Sequence, residues 1–259
     1  MFDWQFYSLT LLICALVGLV GWLESLKTNL VSGVDSLWSL MFLLISLACF
    51  INIGMTTGRP LLVLVLVSIW ALRLSFYIAI RSKGEGEDHR YEAIRQNNQP
   101  GFRIKSLYIV FGFQALLAWL IALPLAVAID GSASLGLLDA FAVVLWLTGM
   151  FFEVVGDEQL KRFKADPANQ GRVLDTGLWK FTRHPNYFGE CLIWWGYFLL
   201  AAAAGGWWTI LSPMLMTFLL LKVSGVTLLE KDISTRRPAY ASYIKRTNAF
   251  LPGPGRVQL

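Results

Sequence analysis

The sequence predicts an all-α polytopic membrane protein with seven transmembrane helices, the amino terminus outside and the carboxyl terminus cytoplasmic. Three observations lead there: a composition too apolar for water, seven apolar runs of spanning length, and basic residues gathered in three segments. Apolar residues make up 56% of the 259 and charged residues 15%, and the mean hydropathy is +0.57. A soluble domain carries roughly 25% charge, and a disordered chain needs low hydrophobicity. Neither class fits.

A helix crosses the hydrocarbon core with about 20 mostly apolar residues. Seven runs qualify, near 5–23, 35–54, 60–80, 106–129, 134–155, 186–204 and 207–228, and they make one membrane domain of residues 1–259. The first run has no basic residue before it and no small-residue cleavage site after it, so it reads as a span rather than a signal peptide. Of the 22 Lys and Arg, 18 lie in three segments, six each in 81–105, 156–185 and the tail after 228. Loops 130–133 and 205–206 hold none. An odd number of spans puts all three segments on one face, which the positive-inside rule makes cytoplasmic. The net charge of +5 is therefore a matter of topology, and no nucleic-acid partner is expected. Cys14, Cys49 and Cys191 sit in apolar runs and His89 and His184 are the only histidines, so neither a disulfide framework nor a metal site is expected. No repeat of the kind that builds transporters is present. Polar groups massed on one face suit an enzyme with a water-soluble cofactor and a lipid-soluble substrate.

The richest stretch runs from Asp157 to Trp194. Asp157, Lys161 and Lys164 share one helix face at the end of the fifth span, either as cofactor contacts or as a solvated helix end with an Asp–Lys pair. Arg172 follows, then Arg183-His184-Pro185-Asn186-Tyr187-Phe188-Gly189-Glu190. Pro185 suits a first helical turn, which places free N–H groups beside Arg183 and His184, an arrangement fit for a phosphate. Asn186, Glu190 and Trp194 fall on one face. A carboxylate and an amide inside a span are functional by default. In the tail, Asp232, Arg236, Tyr240 and Tyr243 form a polar stripe, either closing over a nucleotide or lying solvated. Gly84-Glu85-Gly86 is no dinucleotide fingerprint, because no strand precedes it and carboxylates crowd it. Arg81, Arg90 and Tyr91 in the same segment remain candidate cofactor contacts, and His89 reads as a solvated loop residue. Asp35 opens the second span, where an N-cap role is the bland alternative. Arg73 lies inside the third span and needs partners there.

The octamer 183–190 resembles the signature of steroid 5-alpha-reductases, sterol reductases and isoprenylcysteine carboxyl methyltransferases. From Asp157 through Trp194 the chain is similar to the steroid 5-alpha-reductase family without a gap, and Leu72-Arg73-Leu74 and Glu87-Asp88-His89-Arg90-Tyr91 look like its bacterial branch. The resemblance implies NADPH-dependent reduction of a carbon–carbon double bond conjugated to a ketone, on a lipid-soluble enone such as a steroid. It also implies a monomer in the bacterial inner membrane, surrounded by lipid, with its cofactor site on the cytoplasmic side within residues 157–259. Asp157, Lys161, Lys164, Arg172, Asn186, Glu190, Trp194 and Asp232 fall where the family holds its nucleotide, and Tyr243 matches a cofactor-contacting tyrosine. His184, Tyr187 and Arg236 join them as candidates, together with Arg81 and Arg90.

Such a reduction needs an acid to stabilise charge on the ketone oxygen. The family uses a carboxylic acid at the start of span two and a tyrosine in span three. Here Asp35 opens span two and Trp70 stands at the aligned position of span three, where an indole donates a hydrogen bond but no proton. Tyr77, on the same helix face, is the expected partner of Asp35, and Tyr91 is the next. The alternative of an S-adenosylmethionine-dependent isoprenylcysteine-type methyltransferase shares the His-Pro-x-Tyr helix start but leaves Lys161, Lys164 and Arg172 without phosphates to meet.

Overall fold

The computed structural model describes residues 2–54, 57–131, 134–223, 225–230 and 237–254. Every regular element among them is helical. Five helices are long and apolar enough to cross a membrane: α1 (Trp4–Thr28), α2 (Val34–Ile53), α3 (Arg59–Arg81), α5 (Phe102–Asp130) and α6 (Leu137–Ala165). A short helix, α4 (His89–Asn97), lies between the third and fourth of these. After α6 come α7 (Pro185–Ala203), the shorter apolar helix α8 (Trp207–Val223), then α9 (Val226–Glu230) and α10 (Ala239–Arg246). Lipid-type surfaces are visible along α1, where Leu9, Leu12, Leu16, Val20 and Leu23 are exposed at three- and four-residue spacing. An apolar stripe that no protein covers is what a bilayer-facing helix presents.

The chain divides into two compact units, Met1–Leu135 with Leu200–Thr209, and Gly136–Leu199 with Ile210–Leu259. In the first unit α2 packs on α1 and α3, and α5 on α1. Small residues allow this: a Cβ at Gly18 of α1 would lie 3.2 Å from the carbonyl oxygen of Phe111 on α5. Tyr7 donates from its hydroxyl to the carbonyl of Trp119, and the Trp119 indole donates back to the carbonyl of Tyr7 at 3.0 Å. Ser39 donates to the carbonyl of Ala71 at 2.9 Å, joining α2 to α3. Phe2, Trp4, Tyr7 and Trp208 form an aromatic cluster near this clip, Trp4 and Trp208 with ring centroids 5.3 Å apart. Such a belt is typical of a membrane–water boundary.

In the second unit α6 and α7 meet backbone to backbone. A Cβ at Gly189 would lie 2.5 Å from the amide nitrogen of Glu153 and 2.5 Å from the carbonyl oxygen of Gly149. Gly156 faces Pro185, and Gly196 faces Ala142 and Trp146. These glycines are seven apart on each helix, so they share one face of each helix and line its seam. The start of α7 at Pro185 is the start the sequence predicts. Asp35 departs from its N-cap alternative: α2 already begins at Val34, its cap position is Gly33, and no side chain caps it.

Candidate functional site

Along the α6–α7 seam, Asp157 is buried, 3% exposed, and Asn186 donates from Nδ2 to its Oδ1 at 3.2 Å. Trp179 donates from its indole to the carbonyl of Gly156 at 3.1 Å, and Gln159 accepts from the Leu178 amide at 3.0 Å. Together they dock the 3-10 turn Gly177–Lys180 beside the seam. Glu190 follows Asn186 by one turn and is half-buried, and Trp194 is fully buried with its ring edge-on to Tyr197 at 5.5 Å. Asn186 thus links α7 to α6 through Asp157, and Glu190 and Trp194 follow it on the same face of α7.

The lysines go elsewhere. Lys161 is exposed and lies 3.9 Å from Glu158, which also accepts from Arg162 at 2.6 Å. Asp157 lies next to Gly156 on the side of α6 turned toward α7, and Glu158, which meets Lys161, is one position further round. Lys164 and Arg172 are also exposed. Lys161, Lys164 and Arg172 thus stay at the surface, while Asp157 is buried with its carboxylate bonded to Asn186.

Arg183 and His184 meet a partner that the sequence reading missed. Arg183 donates from Nε and Nη2 to the two carboxylate oxygens of Glu230 at 2.7 and 2.8 Å. His184 Nε2 lies 2.9 Å from the same carboxylate, and the Tyr240 hydroxyl donates to it at 3.2 Å. Burial alone pushes the Glu230 carboxyl up, but the hydrogen bonds and charges of His184 and Arg183 outweigh it and hold the group at about 2. Burial first and the Glu230 charge second push the Tyr240 phenol above its ordinary value. The anion expected beside Arg183 and His184 is thus supplied by the chain itself. Tyr187 stacks on His184 with parallel rings 5.7 Å apart.

The tail closes on this region. Tyr243 donates to the carbonyl of Trp179, and Arg246 pairs with Asp175. Arg237 donates to the carbonyl of Arg172 at 3.1 Å. Tyr243 is 1% exposed and is committed to protein contacts. Asp232 and Arg236 lie outside the described residues.

A second polar cluster belongs to the first unit. Glu87 accepts from the amides of Val31 and Ser32, each at 2.9 Å, and from Arg95 at 2.9 Å, which fastens the α4 segment to the α1–α2 turn. Asp88 caps α4 by accepting from the Arg90 amide at 2.9 Å. The first turn of α4 then brings two side chains to Asp35. Arg90 donates to Asp35 Oδ2 at 2.7 Å, and Tyr91 donates from its hydroxyl to Asp35 Oδ1. Gln114 of α5 donates to the Tyr91 oxygen at 3.0 Å. Burial, then the charge of Asp35 and the hydrogen bond to it, push the Tyr91 phenol well above its ordinary value. The hydroxyl therefore keeps its proton at neutral pH.

Asp35 meets Tyr91, the second of the two expected tyrosines, and Tyr77 lies on α3. Its ring is sandwiched along α3 between the guanidinium groups of Arg73, 5.2 Å away, and Arg81, 5.5 Å away. Arg81 and Arg90 both belong to the first unit, and Arg90 is held by Asp35 and Asp88. His89 is an exposed neighbour of Asp88. Among the described residues no group of three or more His, Cys, Asp or Glu is arranged to hold a metal ion.

The chain is 27% identical over 276 residues to the "Uncharacterized protein C594.04c" of Schizosaccharomyces pombe, an alignment covering 93% of this chain and 78% of that one. No solved structure matches it. A family model described as "Protein of unknown function (DUF1295)" matches residues 21–247. With most of its length matched, and with helices fit to span a membrane, the chain belongs to the DUF1295 family, which lies within the steroid 5-alpha-reductase-like membrane superfamily.

Proposed function

We propose that this protein is an NADPH-dependent reductase of a carbon–carbon double bond conjugated to a ketone in a lipid-soluble, steroid-like enone. The observation that carries the reading is the hydrogen-bonded pair of buried Asp157 and half-buried Asn186, with Glu190 and Trp194 following Asn186 on the same face of α7. Kinship with reductase-like membrane enzymes supports it. In this reading the chain spans the membrane seven times, with α7 and α8 as the sixth and seventh spans, its amino terminus outside and its carboxyl terminus in the cytoplasm. It is a monomer of the bacterial inner membrane, and the nucleotide enters from the cytoplasm.

Asp157, Asn186 and Glu190 would hold hydroxyl and amide groups of the nucleotide, while Lys161, Lys164 and Arg172 meet its phosphates. NADPH, when bound, supplies the hydride. Tyr91 and Asp35 serve the other half of the reaction. As negative charge grows on the ketone oxygen, the Tyr91 hydroxyl donates to it. To do so it gives up its bond to Asp35, which Arg90 continues to hold, while Gln114 keeps donating to its oxygen.

A binding comparison tests the reading. Purified protein should bind NADPH more tightly than NADH and oxidise it when given a 3-oxo-4-ene steroid. Arg172→Ala should weaken NADPH more than NADH, by about tenfold for one lost charged hydrogen bond. Binding of S-adenosylmethionine in place of NADPH would overturn the reading and favour a methyltransferase.

A further inference from the structure

Arg183 is the meeting point of three segments. Its side chain holds Glu230, the last residue of α9, by two hydrogen bonds. Its Nη1 donates to the carbonyls of Ile244 and Thr247 at the end of α10, where helix carbonyls lack internal partners. Its backbone amide donates to the carbonyl of Asn248 at 2.9 Å. The side chains of Arg183, His184 and Glu230 are only 8%, 7% and 15% exposed. A guanidinium this buried needs a counter-charge, and Glu230 is the carboxylate that supplies it. Glu230 also reaches α10 directly through Tyr240.

We infer that Glu230 is a positioning residue: with Arg183 it forms a latch that fastens the C-terminal strap, residues 237–253, to the first turn of α7. Arg183 leads into that turn by two residues, and the turn carries Asn186. The strap covers the 172–182 segment through Arg237, Tyr243 and Arg246, and its end is zipped down by Thr182 donating to the carbonyl of Phe250 at 2.8 Å and Gly253 donating to that of Phe181 at 3.1 Å. Loss of the Glu230 charge leaves Arg183 buried without a counter-ion, so the guanidinium turns toward water and releases the α10 carbonyls. The latch also assigns the anion seat at the start of α7 to the protein itself. A bound nucleotide therefore finds its cations at Lys161, Lys164 and Arg172. That last consequence, and the effect on nucleotide affinity, rest on the function proposed above.

The test uses the full-length protein in lipid nanodiscs with a C-terminal tag, limited trypsin, and the variants Glu230→Gln and Tyr240→Phe. Trypsin has sites at Lys245 and Arg246 within α10, and the parent and both variants carry Arg256→Gln so that release of the tag does not report cleavage at Arg256. Glu230→Gln should speed tag release by about tenfold, and Tyr240→Phe by about threefold, in proportion to a charged and a neutral hydrogen bond. NADPH titration of Glu230→Gln should show a rise in Kd of about fivefold or more with kcat at saturation within about twofold, the split expected when binding alone is loosened. Tag release at the parental rate in both variants overturns the latch. If Glu230→Gln does not fold, Tyr240→Phe decides alone. If the parent does not bind NADPH, the nucleotide reading falls, while the proteolysis still decides whether the strap is latched.

Discussion

Asp35 in the first unit and Glu230 in the second each sit between an arginine and a tyrosine. Asp35 takes one hydrogen bond from Arg90 and one from Tyr91, and its side chain is 22% exposed. Glu230 takes two from Arg183, one from Tyr240 and a contact from His184, and all its donors are buried. Count of donors separates the two. A carboxylate with spare acceptor capacity beside a protonated phenol can exchange partners during a reaction, whereas one whose Oε1 meets three buried partners and whose Oε2 takes a fourth bond is a fastener. A carboxylate, an arginine and a tyrosine thus serve architecture in the second unit and, in the function proposed above, chemistry in the first.

Substitutions that remove one partner from each cluster should separate these roles. The largest effect is expected in the first. Asp35→Leu should abolish turnover and Tyr91→Phe should lower kcat by about 10²–10⁴-fold, the range for a positioned acid, with NADPH affinity nearly unchanged in both. Asp35→Asn keeps a hydrogen-bonding group and should retain some activity. Tyr77→Phe keeps the ring between Arg73 and Arg81 and should cost far less. Steady-state kinetics on an enone checks all four, and parental turnover in Asp35→Leu would remove the cluster from the mechanism.

In the second cluster the expected loss is of stability. Arg183→Leu leaves Glu230 without its bidentate partner, which costs about 3–5 kcal/mol for a broken buried pair. Chemical unfolding in detergent measures it, and a loss below about 1 kcal/mol, the worth of an exposed pair, would place Glu230 in solvent. The smallest effect is one of pH. The Glu230 carboxyl is lowered from its ordinary 4.5 to about 2, so the folded state favours the charged form. Its contribution is complete above pH 4.5 and is lost as pH falls from there toward 2. Hydrogen exchange in residues 239–246, corrected for the intrinsic rate, should accelerate across that window, and a flat profile would show that the carboxylate does not hold α10.

What the sequence made legible is what helical periodicity carries. Pro185 marked a helix start, and the spacing of Asn186, Glu190 and Trp194 marked one face; both are local patterns that packing between neighbouring helices preserves. Contacts between distant segments were not legible. Glu230 ends an apolar run beside Lys231 and Asp232 and reads as a solvated helix end, yet it lies against His184, 46 residues away. Tyr91 and Asp35 are 56 residues apart, and their meeting depends on Glu87 fastening the α4 segment to the α1–α2 turn. Tyr77 shares a helix face with Trp70, but face-sharing says nothing about the neighbouring helix. The cations beside Tyr77 on α3, Arg73 and Arg81, claimed its ring first. Gln114 carries no signal at all, being a single amide in an apolar span.

The glycine seam between α6 and α7 bears on how the protein tolerates its surroundings. Side chains that bridge two helices can swing and let the helices slide when a bilayer thins or a detergent replaces it. Here the main chains themselves touch at Gly149 and Gly189, which leaves little side chain between them to deform. The close approach of the two main chains limits how far Asp157 and Asn186 can slide past one another. A preparation that keeps these two helices intact keeps that pair in register, in micelles as in thick or thin membranes. The same rigidity makes the seam brittle toward growth by even one methyl group.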